Sequence, residues 1–369
     1  MACANVTRRE WLRHAAWAAA AAAAAPSLLA GRGARGESAG GKAGPAAAPP
    51  PAPGRAGSRV ALTAGDNRAD NVMRALRTFE KEIAQAIGSR RAVIKPNNVG
   101  IDTPLCATHA DCIQAILEFL KSIGKLDGAI VAESPASGPA AAGFDNYGYR
   151  PVAAKYGAKL VDLDAEGFEI VQVLDERDLR PHPVRMSKVL LDGGAFIISA
   201  CKPKTHDRVV ATLSLKNIVV GAAIKYPGFG GRGGRGGLIS DKPTVHGGGH
   251  RGTNYNLFAV GQRLHPHLAV IDAFDGMEGN GPIGGRPVDH RVCVVSPDWL
   301  AADRVGVELM GIDFAKVGYL NYSAAAGMGE ADLKKIEIVG EPIARHVKPY
   351  KLADNIEEQL IWMKPVRNP

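Results

Sequence analysis

The chain has 369 residues, of which 46% are hydrophobic and 22% are charged, a composition typical of a globular protein with a substantial core. Its formal net charge is +8, but no run of Lys and Arg is interleaved with aromatic residues. This pattern disfavours a nucleic-acid partner, and the basic excess favours small anionic ligands.

The N-terminus resembles a twin-arginine export signal over residues 1–30. Arg8 and Arg9 precede an alanine-rich apolar run that ends near a small residue, Ala30. Because this run is short and weakly hydrophobic, we expect cleavage near Ala30 and no permanent membrane anchor. The signal predicts export to the periplasm or the exterior, with the twin-arginine translocase as a partner during export.

Residues 31–57 contain no large apolar side chain, so they are predicted to be a disordered linker. An α/β domain is expected over 58–345, with a C-terminal extension over 346–369. Strands of the buried type are predicted at 92–95, 128–133, 158–163, 195–200, 268–272 and 291–296. Helices are predicted near 109–123, 149–156, 213–220, 255–264 and 298–311. Two further runs, at 168–173 and 184–191, predict a small hairpin excursion.

Alternating strands and helices are typical of an α/β fold with a largely parallel, twisted sheet flanked by helices. In such sheets, ligands bind beyond the carboxyl ends of the strands. Four predicted strands run into an ionisable residue: Lys95, Glu133, Lys202 and Asp272. A single charged residue there is an ordinary feature of a polar turn, but four of them predict a shared polar crevice.

The segment "KPKTH" makes the lysines of this crevice candidates for chemistry. Lysines beside apolar walls need an anion or a carboxylate to neutralise them, or else they act as a base or an amine nucleophile. Lys216 lies within an apolar helix and is predicted to point into the crevice, although a lysine at the helix edge would look the same. The candidate catalytic residues are Lys202, Lys204, His206 and Lys216. The candidate ligand-binding residues are Lys95, Asn97, Thr205, Asn217, Gly279 and Gly281.

The segment "DAFDGMEGNGPIGG", residues 272–285, is predicted to be a glycine-rich loop whose backbone approaches a ligand closely. Asp272, Asp275 and Glu278, together with Glu133, form a candidate site for a divalent cation such as Mg²⁺ or Ca²⁺. A tight acidic turn is the alternative. His206 has three possible roles, as a metal ligand, an acid or base, or a helix cap.

Other signals exclude familiar sites. Cys106, Cys112, Cys201 and Cys293 have no C-x-x-C spacing, so neither an iron–sulfur cluster nor a thiolate zinc site is expected. The "GFGGRG" run at 228–233 comes after a proline and leads into more glycine, which excludes a dinucleotide fingerprint. The "HGGGH" run at 246–250 is expected to be disordered, with 228–252 as a lid over the crevice.

The motifs "VIKPNNVG", "ATHADCIQAIL", "KPKTH", "ATLSLKNIVVGA" and "VIDAFDGMEGNGPIGG" resemble, in this order, the family named domain of unknown function 362. The resemblance spans about Val60 to Glu341. Some relatives carry a ferredoxin-like iron–sulfur segment, whose cysteines this chain lacks. The resemblance implies no particular reaction.

Two functions are compatible with these features. The first is an exported enzyme that acts on an anionic small molecule with a lysine-rich, metal-dependent or metal-free site. The second is a non-catalytic exported protein that binds an anionic ligand or cofactor for a partner.

Overall fold

The computed structural model describes residues 57–225 and 240–365. The predicted export signal, the predicted linker up to residue 56 and the glycine-rich residues 226–239 lie outside this range. In the described part, no helix combines the length and the apolarity needed to cross a lipid bilayer.

The strands are β1 (Arg59–Ala64), β2 (Arg91–Lys95), β3 (Ile130–Glu133), β4 (Lys159–Asp162), β5 (Phe168–Asp175), β6 (Arg180–Ser187), β7 (Ala195–Cys201), β8 (Lys204–His206), β9 (Val210–Thr212), β10 (Leu268–Asn280), β11 (Gly284–Ser296) and β12 (Glu337–Gly340). The α-helices are α1 (Arg68–Arg77), α2 (Glu80–Ile87), α3 (Ala110–Ser122), α4 (Ala140–Asn146), α5 (Tyr149–Tyr156), α6 (Lys188–Leu191), α7 (Ser214–Ala222), α8 (Lys242–Val245), α9 (His250–Gly261), α10 (Trp299–Leu309), α11 (Gly318–Ala325) and α12 (Ile356–Gln359).

One large sheet carries the fold, with the strand order β12-β1-β11-β10-β7-β2-β3-β4. The run from β10 to β4 is parallel throughout, whereas β11 is antiparallel to both of its neighbours. The fold class predicted from the sequence is therefore confirmed. The predicted hairpin excursion is β5–β6, a separate antiparallel pair that runs from Phe168 opposite Ser187 to Asp175 opposite Arg180.

Helix α3 illustrates how the local sequence sets an element. His109 is its N-cap and accepts the Asp111 N–H through Nδ1 at 3.1 Å, and the helix ends at Ser122, close to the predicted bounds. Its apolar residues recur at helical spacing and are buried. The first elements, β1, α1 and α2, have no counterpart in the sequence-based assignment, and the predicted strand at 184–191 ends at Ser187 and continues as α6.

Side chains alternate between two cores along each central strand. On β7, Ala195, Ile197 and Cys201 pack with α7, α9 and α10, which we call the α7 face. Phe196, Ile198 and Ala200 pack with α1, α2 and α3, which we call the α1 face. The face that each charged side chain takes therefore depends on its place in this alternation.

The predicted glycine-rich loop at 272–285 is instead a β-hairpin arm, so that prediction was wrong. β10 continues to Asn280 and pairs with β11 until Asn280 lies opposite Gly284, with a register shift between Ala273 and Asp275. The glycines permit close approach to protein rather than to a ligand. A Cβ on Gly276 would lie 2.0 Å from the Tyr350 hydroxyl oxygen.

The expectation of disorder at 246–250 was also wrong. Gly247 and Gly248 have φ values of 54° and 75°, which let the chain turn sharply between α8 and α9. His246 is half-buried at this turn and His250 begins α9. As the sequence indicated, the glycines keep both histidines off a common helix.

The predicted C-terminal extension packs against the domain. Gln359 accepts the Val210 N–H through Oε1 at 2.6 Å, where Val210 has a φ of 68°. The Lys351 carbonyl accepts the Gly279 N–H at 2.7 Å, and Tyr350 is buried against the hairpin arm. Residues beyond 345 therefore hold the arm in position.

Candidate functional site

Four adjoining strands bring the predicted strand-end residues to one edge of the sheet. β10, β7, β2 and β3 are consecutive neighbours. Lys95 and Glu133 end β2 and β3, Lys202 follows β7, and Asp272 lies in β10 just beyond its pairing with the end of β7. All four side chains are buried. They do not form one cluster, because the alternation along the strands sends Lys95 to the α7 face and both Lys202 and Asp272 to the α1 face.

Lys95 forms a buried ion pair with Glu133. Its Nζ lies 2.5 Å from Glu133 Oε1 and donates to the Pro96 carbonyl at 2.6 Å. Glu133 also accepts the N–H groups of Asn98 and Ser134, each at 2.8 Å. Burial lowers the pKa of Lys95, and the carboxylate of Glu133 opposes this shift. The pair is satisfied by protein alone.

Asn217 on α7 completes this pair, as the predicted grouping of Lys95 with Asn217 requires. Asn217 Oδ1 accepts from Lys95 Nζ at 3.3 Å, and its Nδ2 donates to the Lys95 carbonyl at 3.1 Å and to Ser199 Oγ at 3.0 Å. Gly221 lies one turn further along α7, where a Cβ would stand 2.5 Å from Lys95 Cε. A side chain at residue 221 would therefore displace the lysine.

A second group, which we call the paired cluster, consists of Arg68, Lys202, Asp272 and Asp275 on the α1 face. Lys202 Nζ lies 2.6 Å from Asp275 Oδ2, and Arg68 binds both Asp275 and Asp272, the latter at 3.1 Å. Burial lowers the pKa of Lys202 to about 8, and Asp272 opposes this shift. Two basic and two acidic groups thus balance one another. Arg68 belongs to α1 and was missed because β1 and α1 were not recognised.

A third group, which we call the amine cluster, consists of Lys204, His206 and Lys216 on the α7 face. Lys204 Nζ donates to Asn97 Oδ1 and to the Cys106 carbonyl, the latter at 3.2 Å. Lys216 Nζ lies 2.9 Å from His206 Nε2. Across residues 57–225 and 240–365, no carboxylate oxygen lies within 4.0 Å of either lysine ammonium. The two lysines of the amine cluster therefore lack the direct carboxylate contacts of the paired cluster, although Asp207 Oδ1 lies 3.1 Å from His206 Nδ1.

Burial dominates the electrostatics of the amine cluster. It lowers the pKa of Lys204 to about 8 and the pKa of Lys216 to about 7, where the charge of Lys204 adds to the shift. Burial and the neighbouring Lys216 lower the pKa of His206 to about 3. The His246 ring is stacked on the His206 ring, with centroids 6.2 Å apart and planes 18° apart. His206 is therefore a neutral imidazole at neutral pH.

Two further buried lysines lie outside the predicted set of site residues. Lys225 Nζ is paired with the buried carboxylate of Asp164. Lys242 on α8 donates to the carbonyls that end α7. Sequence alone gives no signal for either, because the flanking glycine-rich run looks like an exposed loop. Lys188, by contrast, is exposed.

The four predicted metal ligands are not brought together. Glu133 is paired with Lys95, Asp272 and Asp275 are paired with Arg68 and Lys202, and Glu278 accepts the Lys351 N–H at 2.9 Å. Among the described residues, no three His, Cys, Asp or Glu side chains are arranged to hold a metal ion. Glu133, Asp272 and Asp275 are each neutralised by a base from another element, whereas Glu278 is held by a backbone N–H.

Three predicted ligand-binding residues instead hold the hairpin arm. Thr205 Oγ1 donates to the Gly279 carbonyl at 2.8 Å. Gly279 has a φ of 82°, and a Cβ on Gly281 would lie 2.1 Å from the Thr205 carbonyl oxygen. Gly279 is needed for its positive φ, and Gly281 is needed because the arm crosses the backbone of β8 closely.

Asp303 on α10 fixes the start of α7, on which Lys216 lies. Its carboxylate accepts the N–H groups of Ser214 at 2.8 Å and Leu215 at 3.1 Å. Burial raises the pKa of Asp303 to about 7. The carboxylate thus positions α7, and with it Lys216, without contacting the amine cluster.

Comparison with known proteins identifies the family. The profile of the domain of unknown function 362 matches residues 92–308, which is more than half of the chain. The chain belongs to this family. The matched range contains the paired cluster except Arg68, and all of the amine cluster. The resemblance found in the sequence motifs is therefore confirmed.

A relative in Synechocystis sp. (strain ATCC 27184 / PCC 6803 / Kazusa) is named thylakoid-associated protein sll1697. It is 24% identical over 234 residues, which cover 62% of this chain and 65% of the relative. The chain thus matches slightly less than two thirds of that protein's length.

Proposed function

We propose that this protein is an exported enzyme that binds a small anionic molecule at the amine cluster. One observation carries the proposal: Lys204 and Lys216 are both buried, with no carboxylate within 4.0 Å among the described residues. An uncompensated buried ammonium is costly, and a bound anion removes that cost. His206, hydrogen-bonded to Lys216, supplies a group able to transfer protons.

Thermal unfolding of the purified mature protein with inorganic phosphate or pyruvate tests anion binding. A ligand that binds the folded state raises its stability, by about 2.7 kcal/mol at one hundred times its Kd. We expect Lys204→Gln to abolish the rise, whereas Lys188→Gln, at an exposed lysine, should retain it. An equal rise in both variants, or no rise in the unchanged protein with any small anion, contradicts the proposal.

A non-catalytic binding protein is the second candidate, and the burial of the site favours it. Lys204 is 0% exposed and Lys216 is 5% exposed, which suits retention of a ligand better than rapid exchange. Mass spectrometry of protein purified after native export separates the two. A stoichiometric organic anion that persists through purification favours binding for a partner, whereas turnover of an added anion favours the enzyme. A stoichiometric divalent ion would instead indicate metal-dependent catalysis.

Export by the twin-arginine pathway is part of the same proposal and is supported by the N-terminal motif. Replacing Arg8 and Arg9 by lysine should retain the protein in the cytoplasm, because the pathway reads the arginine pair. Cell fractionation measures the outcome. Normal export of the double variant would contradict this part of the proposal while leaving anion binding untouched.

A further inference from the structure

Two buried lysines, on α7 and α8, share a lowered pKa but have different hydrogen bonds. Burial lowers the pKa of both Lys216 and Lys242 to about 7. Lys242 Nζ donates to the carbonyls of Val220 at 3.2 Å, Gly221 at 3.4 Å and Ala223 at 2.6 Å. These three acceptors use all three N–H bonds of an ammonium. The hydrogen bonds of Lys242 therefore favour its protonated form.

Lys216 has a different environment, because its hydrogen-bond partner in the described part of the chain is an imidazole. His206 Nδ1 accepts the Arg208 N–H at 2.9 Å in the tautomer that leaves Nδ1 unprotonated. In that tautomer the imidazole carries its proton on Nε2, 2.9 Å from Lys216 Nζ. The Nε2–H then donates to the lone pair of a neutral Lys216 amine, and a substrate carbonyl that takes over this hydrogen bond frees the lone pair for attack.

The neighbouring carboxylate gives His206 a route for its proton. Asp207 Oδ1 lies 3.1 Å from His206 Nδ1, and the Asp207 side chain is 53% exposed. When Nδ1 takes up a proton, Asp207 accepts its hydrogen bond and Nε2 is freed to accept from Lys216. The imidazole thus connects the buried amine to a group in contact with solvent.

We propose that Lys216 is a nucleophile that forms an imine with the carbonyl group of a small anionic substrate, while Lys204 binds the negative charge. This inference rests on the proposed function and names its substrate class. Two of the three N–H bonds of the Lys204 ammonium donate to Asn97 Oδ1 and to the Cys106 carbonyl. The third is left to donate to a substrate carboxylate. The 2-oxo acids are the smallest molecules that combine the two groups.

The reaction balances without an oxidant or reductant. The Lys216 lone pair forms a C–N bond with the carbonyl carbon, and the carbonyl oxygen takes the His206 Nε2 proton. The nitrogen returns one proton to His206, giving a neutral carbinolamine. The C–O bond then breaks, oxygen leaves as water with a proton from His206, and the nitrogen gives its second proton back. The products are an imine and one water, and His206 is unchanged.

The test is reductive trapping of the mature protein with pyruvate and sodium cyanoborohydride at pH 7, with peptide mass spectrometry as the readout. An ordinary lysine is neutral in roughly one molecule in 2,500 at this pH, whereas a lysine of pKa about 7 is about half neutral. Adduct formation at Lys216 should therefore be faster than at surface lysines by a factor on the order of 10³. Lys242 is the matched internal control and should stay unlabelled.

Variants distinguish a reactive site from a structural one. Lys216→Arg should lose the adduct, because a guanidinium has no free amine lone pair with which to form an imine. His206→Gln should slow labelling about tenfold or more and move the midpoint of its pH profile upward. Pyruvamide, which keeps the carbonyl but lacks the charge, should label at least about tenfold more slowly than pyruvate, because Lys204 cannot bind it as an anion. Equal labelling by the two probes overturns the role of Lys204.

Failure of the imine proposal can be told apart from failure of the anion-binding proposal. If pyruvate raises the melting temperature but no adduct forms at Lys216, or if Lys242 is labelled equally, the imine is overturned and anion binding stands. If pyruvate and phosphate neither stabilise the protein nor label it, both proposals fall. Because thermal stabilisation needs no variant, this readout does not depend on whether Lys216→Arg folds.

Discussion

Lys202 and Lys204 flank Pro203, yet the structure treats the two lysines in opposite ways. Lys202 joins the paired cluster, where Asp275 lies 2.6 Å from its Nζ. Lys204 joins the amine cluster, where its acceptors are an amide oxygen and a carbonyl. Burial lowers the pKa of both lysines to about 8. Burial therefore does not distinguish the two lysines; the presence of a carboxylate does.

The direction of each side chain explains the difference. Lys202 continues the alternation of β7 and faces α1, which supplies Arg68 and lies near the acidic start of the hairpin arm. Pro203 ends the pairing of β7, and Lys204 begins β8, whose residues are packed under the arm next to α7. Two lysines two residues apart thus meet different partners.

The largest expected effect comes from breaking a buried pair. Glu133→Gln leaves Lys95 buried without a carboxylate, and we expect the free energy of unfolding to fall by about 3–5 kcal/mol. Denaturant unfolding measures the change. The double variant Lys95→Met with Glu133→Gln should lose clearly less than the sum of the two single variants, because neither charge is then left alone. Additive losses would show that the pair is not coupled.

Replacing each lysine that flanks Pro203 by methionine compares the two clusters directly. Lys202→Met leaves two carboxylates with Arg68 alone, and we expect a loss of about 2 kcal/mol in the free energy of unfolding. Lys204→Met removes a buried amine that has no carboxylate, so we expect a change within about 1 kcal/mol and towards greater stability. Equal losses in both variants would remove the distinction between the clusters.

The pH dependence of stability sharpens the same distinction. Because Lys202, Lys204 and Lys216 have lowered pKa values in the folded state, the unfolded chain binds more protons between about pH 7 and pH 10. The cost of burying the charged lysines is fully present below their folded-state pKa values and falls as the pH rises. The free energy of unfolding should therefore increase from pH 7 to pH 9. Each lysine can raise the free energy of unfolding by at most about 1.4 kcal/mol per pH unit.

Thermal or denaturant unfolding across this range checks the slope. Lys216→Met should flatten the slope, because one of the titrating lysines is gone. Burial raises the pKa of the Cys112, Cys201 and Cys293 thiols and of the Tyr149 and Tyr319 phenols. Their ionisation in the unfolded chain opposes the rise in stability, the thiols from about pH 8 and the phenols from about pH 9. A fall in stability from pH 7 to pH 9 would contradict the assignment of neutral buried amines.

The smallest effect expected is at Gly221, which makes room for Lys95. In Gly221→Ala, the added methyl would lie 2.5 Å from Lys95 Cε. Overpacking costs about 1–3 kcal/mol, and alanine recovers up to about 1 kcal/mol through helix propensity, so we expect a net loss of about 1 kcal/mol. Gly193→Ala is the matched control, because no atom lies within 4 Å of its added Cβ. An equal loss at both glycines would show that the Lys95 side chain moves aside without an energetic cost of its own.

Much of the fold was readable from the sequence. The alternation of apolar runs predicted the parallel strands β2, β3, β4, β7 and β10 and placed helix α3 within one residue at each end. The strand-end rule selected Lys95, Glu133, Lys202 and Asp272, which do lie on adjoining strands. The rule works because parallel strands share one carboxyl edge, whatever the sequence of the loops that leave it.

The charge partners were not readable. Arg68 is separated from Asp272 by 204 residues along the chain, and Lys95 from Asn217 by 122. The acidic run at 272–285 suggested a cation site, but its glycines serve the hairpin arm and its acids bind Arg68, Lys202 and the Lys351 N–H. Composition in one segment carries no information about a base supplied by another.

The sequence by itself determined which strands form, at which edge their polar ends meet and to which family the chain is related, because periodicity and motifs are local properties. Only the tertiary structure decided that Lys202 is neutralised while Lys204 and Lys216 are not. That outcome depends on which face each side chain leaves and which distant carboxylate reaches it, and at the few ångströms where charges interact, one residue of alternation changes the partner.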